Sequence, residues 1–521
     1  MNLKSLRSQL TRIQTWVAIL IVLGIFFRFY NLDYKVYWFD ETQTSLRISG
    51  HTRRQMLETV YDGKVRTVES LLEQYQYPND DRDLHDTLDA LAGSPEHAPL
   101  YFLGARFWLQ LFGHSTSVIR SLSALISLFA LPCLYWLSWE LFQSAAVSWF
   151  ATVLIAISPF HVLYAQEARQ YSLWTVTILL ASATLLRALR RSTRLSWSTY
   201  AVSIALALYT HTFSVLILLG HGIYVALVEG WRSARSRNFI IAALAGIGLF
   251  VPWLRVILDN FSLFSENTAS VNVDRPDLYL IWGLNLSRLF FDLNQGPSWI
   301  NPVPYLLFAL VIAAFYFLYR HAPARTWIFV VILAGVTGFA LIGPDVILGG
   351  RRSSITRYAI PSFLAIELAV AYFLTCKLPI QHSKFNTQNS KWPSRWRTIA
   401  IALISSGVIS CAVNSQAQVW WHKSHSKSFH NPQVARIVNR SDRPLVISDQ
   451  NPGMILSFSH LLQEDVRLQL IVKPAIPQLP AGFSDIYLYR PTDNLRAGLE
   501  RDRQVNVAPV FKNWLWKVDR P

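Results

Sequence analysis

Apolar runs of near-span length recur along this chain, at about 13–30, 118–141, 145–164, 171–189, 238–257, 303–319, 326–343, 358–376 and 398–414. Hydrocarbon offers no water to backbone N–H and C=O groups, so such runs must close their hydrogen bonds internally as helices. The class that follows is an α-helical polytopic membrane protein. A composition of 52% hydrophobic and only 15% charged residues agrees with it.

Two segments decide the topology. "APLYFLGARFWLQLFG", from Ala98 to Gly113, carries Arg106 and Gln110 and opens on a proline. If it crossed, the groups Arg187/Arg190/Arg191/Arg194, Arg232/Arg235/Arg237, Arg320/Arg325 and Lys377/Lys384/Lys391/Arg395/Arg397 would all face outward, against the positive-inside bias. It therefore reads as an interfacial helix. Trp197 to Leu227 is bounded at both ends by basic groups, so it must cross an even number of times. Two short helices turning near Tyr209-Thr210-His211 meet that condition. The expectation is about 11 spans, N-terminus inside and C-terminus outside, counted by the length rule for spanning helices.

The first run follows Lys4, Arg7 and Arg12 and has no small-residue cleavage site after it, which reads as a signal anchor. A net charge of +16 resides largely in short connections and reports orientation and contact with membrane lipids; with no basic stripe interleaved with exposed aromatics, nucleic acid is excluded as a partner. Cys133, Cys376 and Cys411 lie in or against apolar runs and read as small buried hydrophobes. Three segments fall outside: 31–117, 259–301 and the tail. The first is acid-rich, with 13 Asp or Glu against 7 Lys or Arg from Asn31 to His97. The tail alternates strand-like runs ("PLVISD", "VRLQLIV", "DIYLYR") with short helical ones, as a small α/β domain would. The expected division is a transmembrane domain over 1–414, including the interfacial helices of 31–117, and a C-terminal extracytoplasmic domain over 415–521. "KLPIQHSKFNTQNSKWPSRWR" reads as a basic cytoplasmic linker.

Asp40 and Glu41, in "VYWFDETQTS", stand at the start of the first outer segment, where thinning water raises the basicity of a carboxylate. Two accounts are open: a general base, or an acid pair favoured by the dipole at a helix start. "SPFHVLYAQEARQYSLW" sets Gln166, Glu167, Arg169 and Tyr171 near the headgroups, either as a site or as lipid anchoring. "GGRRSSITRYAIP" places Arg351, Arg352, Arg357 and Tyr358 on the outer side. Three arginines there break the charge bias, and a bound anion explains them, with snorkelling to lipid phosphate as the alternative. His97, Pro99 and Arg106 flank the interfacial helix; His161, His211 and His221 have no metal-ligand spacing. No Walker loop, dinucleotide glycine pattern or nucleophile elbow is present, so an enzyme here needs an activated substrate delivered within the bilayer.

The ordered set "WFDETQTS", "HAPLYFLGARFWLQLFGHSTSVIRSLSAL", "SPFHVLYAQEARQYSL", "LALYTHTFSVL" and "RYAIP" resembles the C-type membrane glycosyltransferases over roughly residues 10–375, in the branch of protein O-mannosyltransferases and lipid A aminoarabinose transferases. The resemblance implies transfer of a sugar from a polyprenyl-phosphate donor to a lipid, glycan or protein hydroxyl, at the extracytoplasmic face of a bacterial inner membrane. It assigns Asp40 as the base with Glu41 assisting. His97 and Arg120 match elements that shape the site and hold the carrier. Tyr171 stands where that branch carries an Asp, and Glu167 belongs to a Q-E-A-R-x-Y variant. Arg106, Arg120, Gln166, Glu167, Arg169, Tyr171, Arg357 and Tyr358 are the expected substrate contacts. No cofactor is certain, and a divalent metal is compatible with the resemblance. A lipid-linked oligosaccharide ligase or polymerase is the alternative, and a transporter a more distant one.

Overall fold

The computed structural model describes residues 3–269, 273, 275–378 and 393–519, with side chains from Gln14 onward, Pro393 excepted. Most of the basic linker, including Lys384 and Lys391, lies outside the described residues. The chain divides into two compact units. A membrane unit comprises Met1–Tyr30, Ser94–Tyr101 and Arg120–Gln416; a sheet unit comprises Asn31–Gly93, Phe102–Ile119 and Ala417–Pro521. The expected division differs from this: Asn31–Gly93 and Phe102–Ile119 group with the tail.

Every apolar run read from the sequence is helical. By length and composition seven helices among the described residues qualify as spans, or eight if one bent pair counts as a single span; Gln14–Phe29, Ser214–Glu229 and Leu278–Ser287 are shorter apolar helices. The segment Trp197–Leu227 does form two helices, Arg194–Thr210 and Ser214–Glu229, that break at His211. In the membrane unit the windows of Thr356–Lys377 and Tyr171–Arg191 are 78% and 72% buried, against 28% for Ala234–Asp259 and Val303–His321, so the first two form the centre of the bundle.

The bent pair is Ala145–Ile157 and Pro159–Ala165, at 58°. Pro159 has no N–H to give the Ile155 carbonyl, so the ladder opens there. Arg28, fully buried on the first helix, closes it by donating to the Ile155 carbonyl at 2.9 Å and to the Ala156 carbonyl, while Cys411 Sγ lies 3.3 Å from the Ile157 oxygen. Such close approach needs small residues: a Cβ on Gly24 would strike the Ala156 oxygen, and one on Gly407 would lie 2.9 Å from that of Ile157. The bend aims the Gln166–Gln170 turn that follows.

At one end of the bundle Arg190 forks onto Glu140 with two 2.8 Å bonds, and Glu229 pairs with Arg235 and Arg325 at 3.1 Å each. Thr326 donates to the Leu141 carbonyl at 2.9 Å, so both clusters share that end. The Gln166–Gln170 turn caps the opposite end of the helix that carries Arg190.

The sheet unit is built on β1 (Asp62–Thr67), β2 (Pro444–Ser448), β3 (Arg467–Ile471), β4 (Asp485–Tyr489), β5 (Asn506–Phe511) and β6 (Leu515–Asp519), in the order β1-β3-β2-β4-β6-β5. β3, β2 and β4 run parallel; β1 and β6 pair antiparallel to this centre. Alternation along the strands feeds two cores: Val446, Leu468, Leu470, Tyr487 and Tyr489 face one, Leu445, Ile447, Ile486 and Leu488 the other. The C-terminal α/β domain expected from the sequence is therefore present. It is completed by β1, from the acid-rich segment, which the sequence reading left without a strand.

Candidate active site

In the membrane unit the turn Gln166-Glu167-Ala168-Arg169-Gln170 is buried throughout. Gln166 donates to the carbonyls of Phe27 and Tyr30 at 2.8 Å each, which ties the turn to the end of the first helix. The Arg169 N–H meets the Glu167 carbonyl at 2.7 Å, and Ser123 Oγ, bonded at 2.7 Å to Tyr101 Oη, reaches the Arg169 carbonyl at 3.4 Å. Arg120, fully buried, precedes Ser123 by one helical turn.

The guanidiniums of Arg169 and Arg357 stand 5.8 and 5.5 Å from the centre of the Tyr171 ring, and Arg357 is 5.7 Å from that of Tyr358. Two cations thus share one aromatic face system, an attraction to the ring quadrupole that fixes their planes. His211 lies 6.2 Å from Tyr171 and 6.1 Å from Tyr358, stacked at 4.2 Å on Trp174. The Arg351–Tyr358 segment is fixed from the helix Leu278–Ser287: Asn285 Oδ1 accepts from Thr356 at 2.8 Å and from Arg288 at 2.7 Å. Arg352 pairs with Asp345 at 3.1 Å. His97 Nε2 lies 3.6 Å from Glu96.

In the sheet unit Asp40 and Glu41 open the helix Phe39–Ile48, in its first turn, where the dipole favours both. They then part. Glu41 is buried; its Oε2 accepts from the Trp38 N–H at 3.3 Å and from Lys423 Nζ at 3.1 Å. The Asp40 side chain keeps 13% exposure and pairs with Lys427 at 3.6 Å. Arg106 donates to the Ile48 carbonyl at 2.8 Å, to Thr87 Oγ1 at 2.9 Å and to the Arg82 carbonyl at 2.6 Å, closing the other end of the Asp40 helix. Near that end, burial and the charge of Arg82 push the His51 imidazole down to about 4.

The structure therefore brings Glu167, Arg169, Tyr171, Arg357 and Tyr358 together in one unit, and Asp40 with Glu41 in the other. Lys423 and Lys427 are the residues that sequence reasoning missed; the lysine-rich "WHKSHSKS" after the last apolar run is the signal that was there to read. Among the described residues no three His, Cys, Asp or Glu side chains are grouped so as to hold a metal ion.

No protein of curated function matches the chain. Residues 96–255 match the model of the dolichyl-phosphate-mannose-protein mannosyltransferase family. The fold is similar to that of ArnT from Cupriavidus metallidurans in the apo state, with a TM-score of 0.58 at 12% identity over 98% of this chain and 100% of that one. ArnT bound to undecaprenyl phosphate gives 0.56 at 12% identity over 97% and 99%. The apo oligosaccharyltransferase of Archaeoglobus fulgidus gives 0.50 at 14% identity over 88% of this chain and 64% of that one. Three of the five motifs lie within the family match over 96–255, and the fold is shared along nearly the whole chain.

Proposed function

We propose that this chain is a glycosyltransferase that moves a sugar from a polyprenyl-phosphate carrier to an acceptor hydroxyl at the outer face of the membrane, by single displacement. The observation that carries the reading is the pair Arg169 and Arg357 on the Tyr171 ring, at the end of the bundle away from the basic loops. A guanidinium matches phosphate with paired donors, and low dielectric strengthens the match. The fold shared with a protein that binds undecaprenyl phosphate, and the family match over 96–255, support the same donor class.

In the reaction the bond from the anomeric carbon to the phosphate oxygen breaks as the bond to the acceptor oxygen forms, through an oxocarbenium-like state that inverts the centre. The polyprenyl phosphate leaves as an anion, which Arg169 and Arg357 stabilise. The acceptor proton passes to Asp40, the more exposed of the two acids. Glu41 positions rather than reacts, since its buried pair with Lys423 and its hold on the Trp38 N–H set the turn carrying Asp40. Gln166 anchors the corner, and Arg106 holds the far end of the Asp40 helix. His97, Arg120, Glu167 and Tyr358 contact donor or acceptor.

The test is turnover by the purified full chain in nanodiscs, with radiolabelled short-chain polyprenyl phosphates of mannose and of aminoarabinose. Asp40→Asn should lower the rate by about 10²–10⁴-fold while carrier binding persists. A variant that turns over like the parent would remove Asp40 from the chemistry.

A further inference from the structure

The structure gives one segment of the tail a specific neighbour. After the last apolar run the chain forms a short 3₁₀ turn, Trp421–Lys423, and then a π-helical turn, Ser424–Ser428, entered through a positive φ of 56° at Ser424. Single π turns are uncommon and gather at functional sites. This one is fixed from several directions. Arg490, just past β4 and itself at a φ of 49°, donates to the Ser426 carbonyl at 2.7 Å. Ser428 Oγ meets Ser457 Oγ at 3.0 Å and accepts from the Phe39 N–H at 3.1 Å.

Arg490 follows the carboxyl end of β4, and Asn451–Gly453, whose Gly453 carbonyl accepts from Thr42 at 3.1 Å, follow that of β2. β3 lies on one side of β2 and β4 on the other, so this is the point where the order of the parallel strands reverses. In open α/β sheets that crevice is where ligands bind. Here the chain fills it with its own Asp40 helix and the Lys427 turn. Lys427 Nζ reaches Asp40 Oδ1 at 3.6 Å and stands 3.9 Å over the Phe39 ring, so its stem and charge are both directed along the Phe39-Asp40 step.

We propose that Lys427 is a positioning residue for Asp40: its ammonium holds the carboxylate ionised and oriented until the acceptor proton arrives. The inference rests on the reading of Asp40 as the base. When the acceptor proton moves to Asp40 the carboxylate becomes neutral and its ion pair with Lys427 dissolves. That makes Lys427 a restoring force, since it favours return of the proton to water and resets the base for the next cycle. The other charged or titratable groups around the pair are Glu41 and Lys423, His422 and His425 on the same segment, and Arg490. Burial, with the charges of His430 and Lys512, lowers the His425 pKa. Glu41, whose carboxyl band overlaps that of Asp40, and His425 are therefore the neighbours to be told apart from Asp40 in a titration.

The experiment is an infrared titration of the full chain in nanodiscs, following the carboxylic acid band that disappears in Asp40→Asn, which separates Asp40 from Glu41 and from His425. Lys427→Met should raise the midpoint at which that band grows by about one pH unit, since a cation within 4–6 Å lowers a carboxylate by about 1–3 units and this pair is partly open to water. Lys427→Arg should leave it in place, and Lys427→Gln, a milder change, should repeat the shift of Lys427→Met. A midpoint that stays put in both Met and Gln variants overturns the role of Lys427. Turnover of Asp40→Asn decides the other matter independently: if that variant remains active, the reading of Asp40 as base fails whatever the titration shows.

Discussion

In the membrane unit the charged groups of the Gln166–Tyr171 corner are spelled out within six residues, and the main chain of the first helix and a single tyrosine ring hold them. In the sheet unit two adjacent acids each find a lysine from the far end of the chain; Lys423 lies 382 positions after Glu41. The corner starts from a local break at Pro159 and is tied to the first helix through Arg28 and Gln166, within the same unit. The acid turn is non-local because a carboxylate held away from water needs a cation, and the chain supplies it through a sheet closed by β1 and β3. The corner should therefore tolerate changes in the tail, while the acid turn should fail with them.

The largest stability effect expected from that contrast is at Glu41. Glu41→Gln leaves Lys423 buried without its carboxylate, and breaking one side of a buried pair costs about 3–5 kcal/mol. Replacing both partners with apolar residues, as in Glu41→Leu with Lys423→Met, should restore much of that. Asp40→Asn, by contrast, removes a partly exposed partner and should cost no more than about 1 kcal/mol. Thermal unfolding of the three variants reads the difference; equal losses for Asp40 and Glu41 would erase the contrast between the two acids.

This distinction marks how far the sequence could be read. The apolar runs and their charge bias carried the helices, because lipid allows the backbone few other solutions. The five ordered motifs pointed to the corner and to Asp40 as the residues to examine. What escaped was set by tertiary pairing. β1 is a short strand in "DGKVRT" with no apolar alternation, recruited by its partner β3. Arg106 looked like a substrate contact and turns out to donate to the Ile48 and Arg82 carbonyls, an arrangement that nothing within "GARFW" encodes. Arg352 looked like its neighbours until Asp345 claimed it.

Within the corner a smaller effect is expected from Arg357→Lys. The charge stays, but the planar fork and its seat on Tyr171 and Tyr358 are lost. Capture of short-chain polyprenyl phosphate, measured by titration calorimetry in nanodiscs, should weaken about tenfold, or about 1.4 kcal/mol. Unfolding should change little, because the loop's anchors are Thr356 and Asn285. An unchanged affinity would leave the corner as a lipid-facing anchor and move the phosphate site elsewhere.

The smallest effect concerns acid. His51 packs its ring 4.7 Å from Tyr75 and places Nδ1 3.3 Å from Ser49 Oγ, a hydroxyl that also lies within bonding distance of the Leu46 and Tyr75 carbonyls. Its folded pKa near 4 lies below the unfolded value near 6.5, so the folded state binds fewer protons between those limits. Stability of the sheet unit then rises with pH through this window and is flat above it; on acidification it is lost from about 6.5 downward. Allowing for solvent at the ring edge, the loss is on the order of 1 kcal/mol. Hydrogen exchange across Phe39–Val60 at pH 7 and pH 5, corrected for intrinsic rates, should show this region opening more often at the lower pH, and His51→Phe should remove the difference. Were His51→Phe to open as readily as the parent at pH 5, the acid sensitivity would belong instead to the carboxylates of the Asp40 turn, and the two units would differ in charge placement but not in their response to protons.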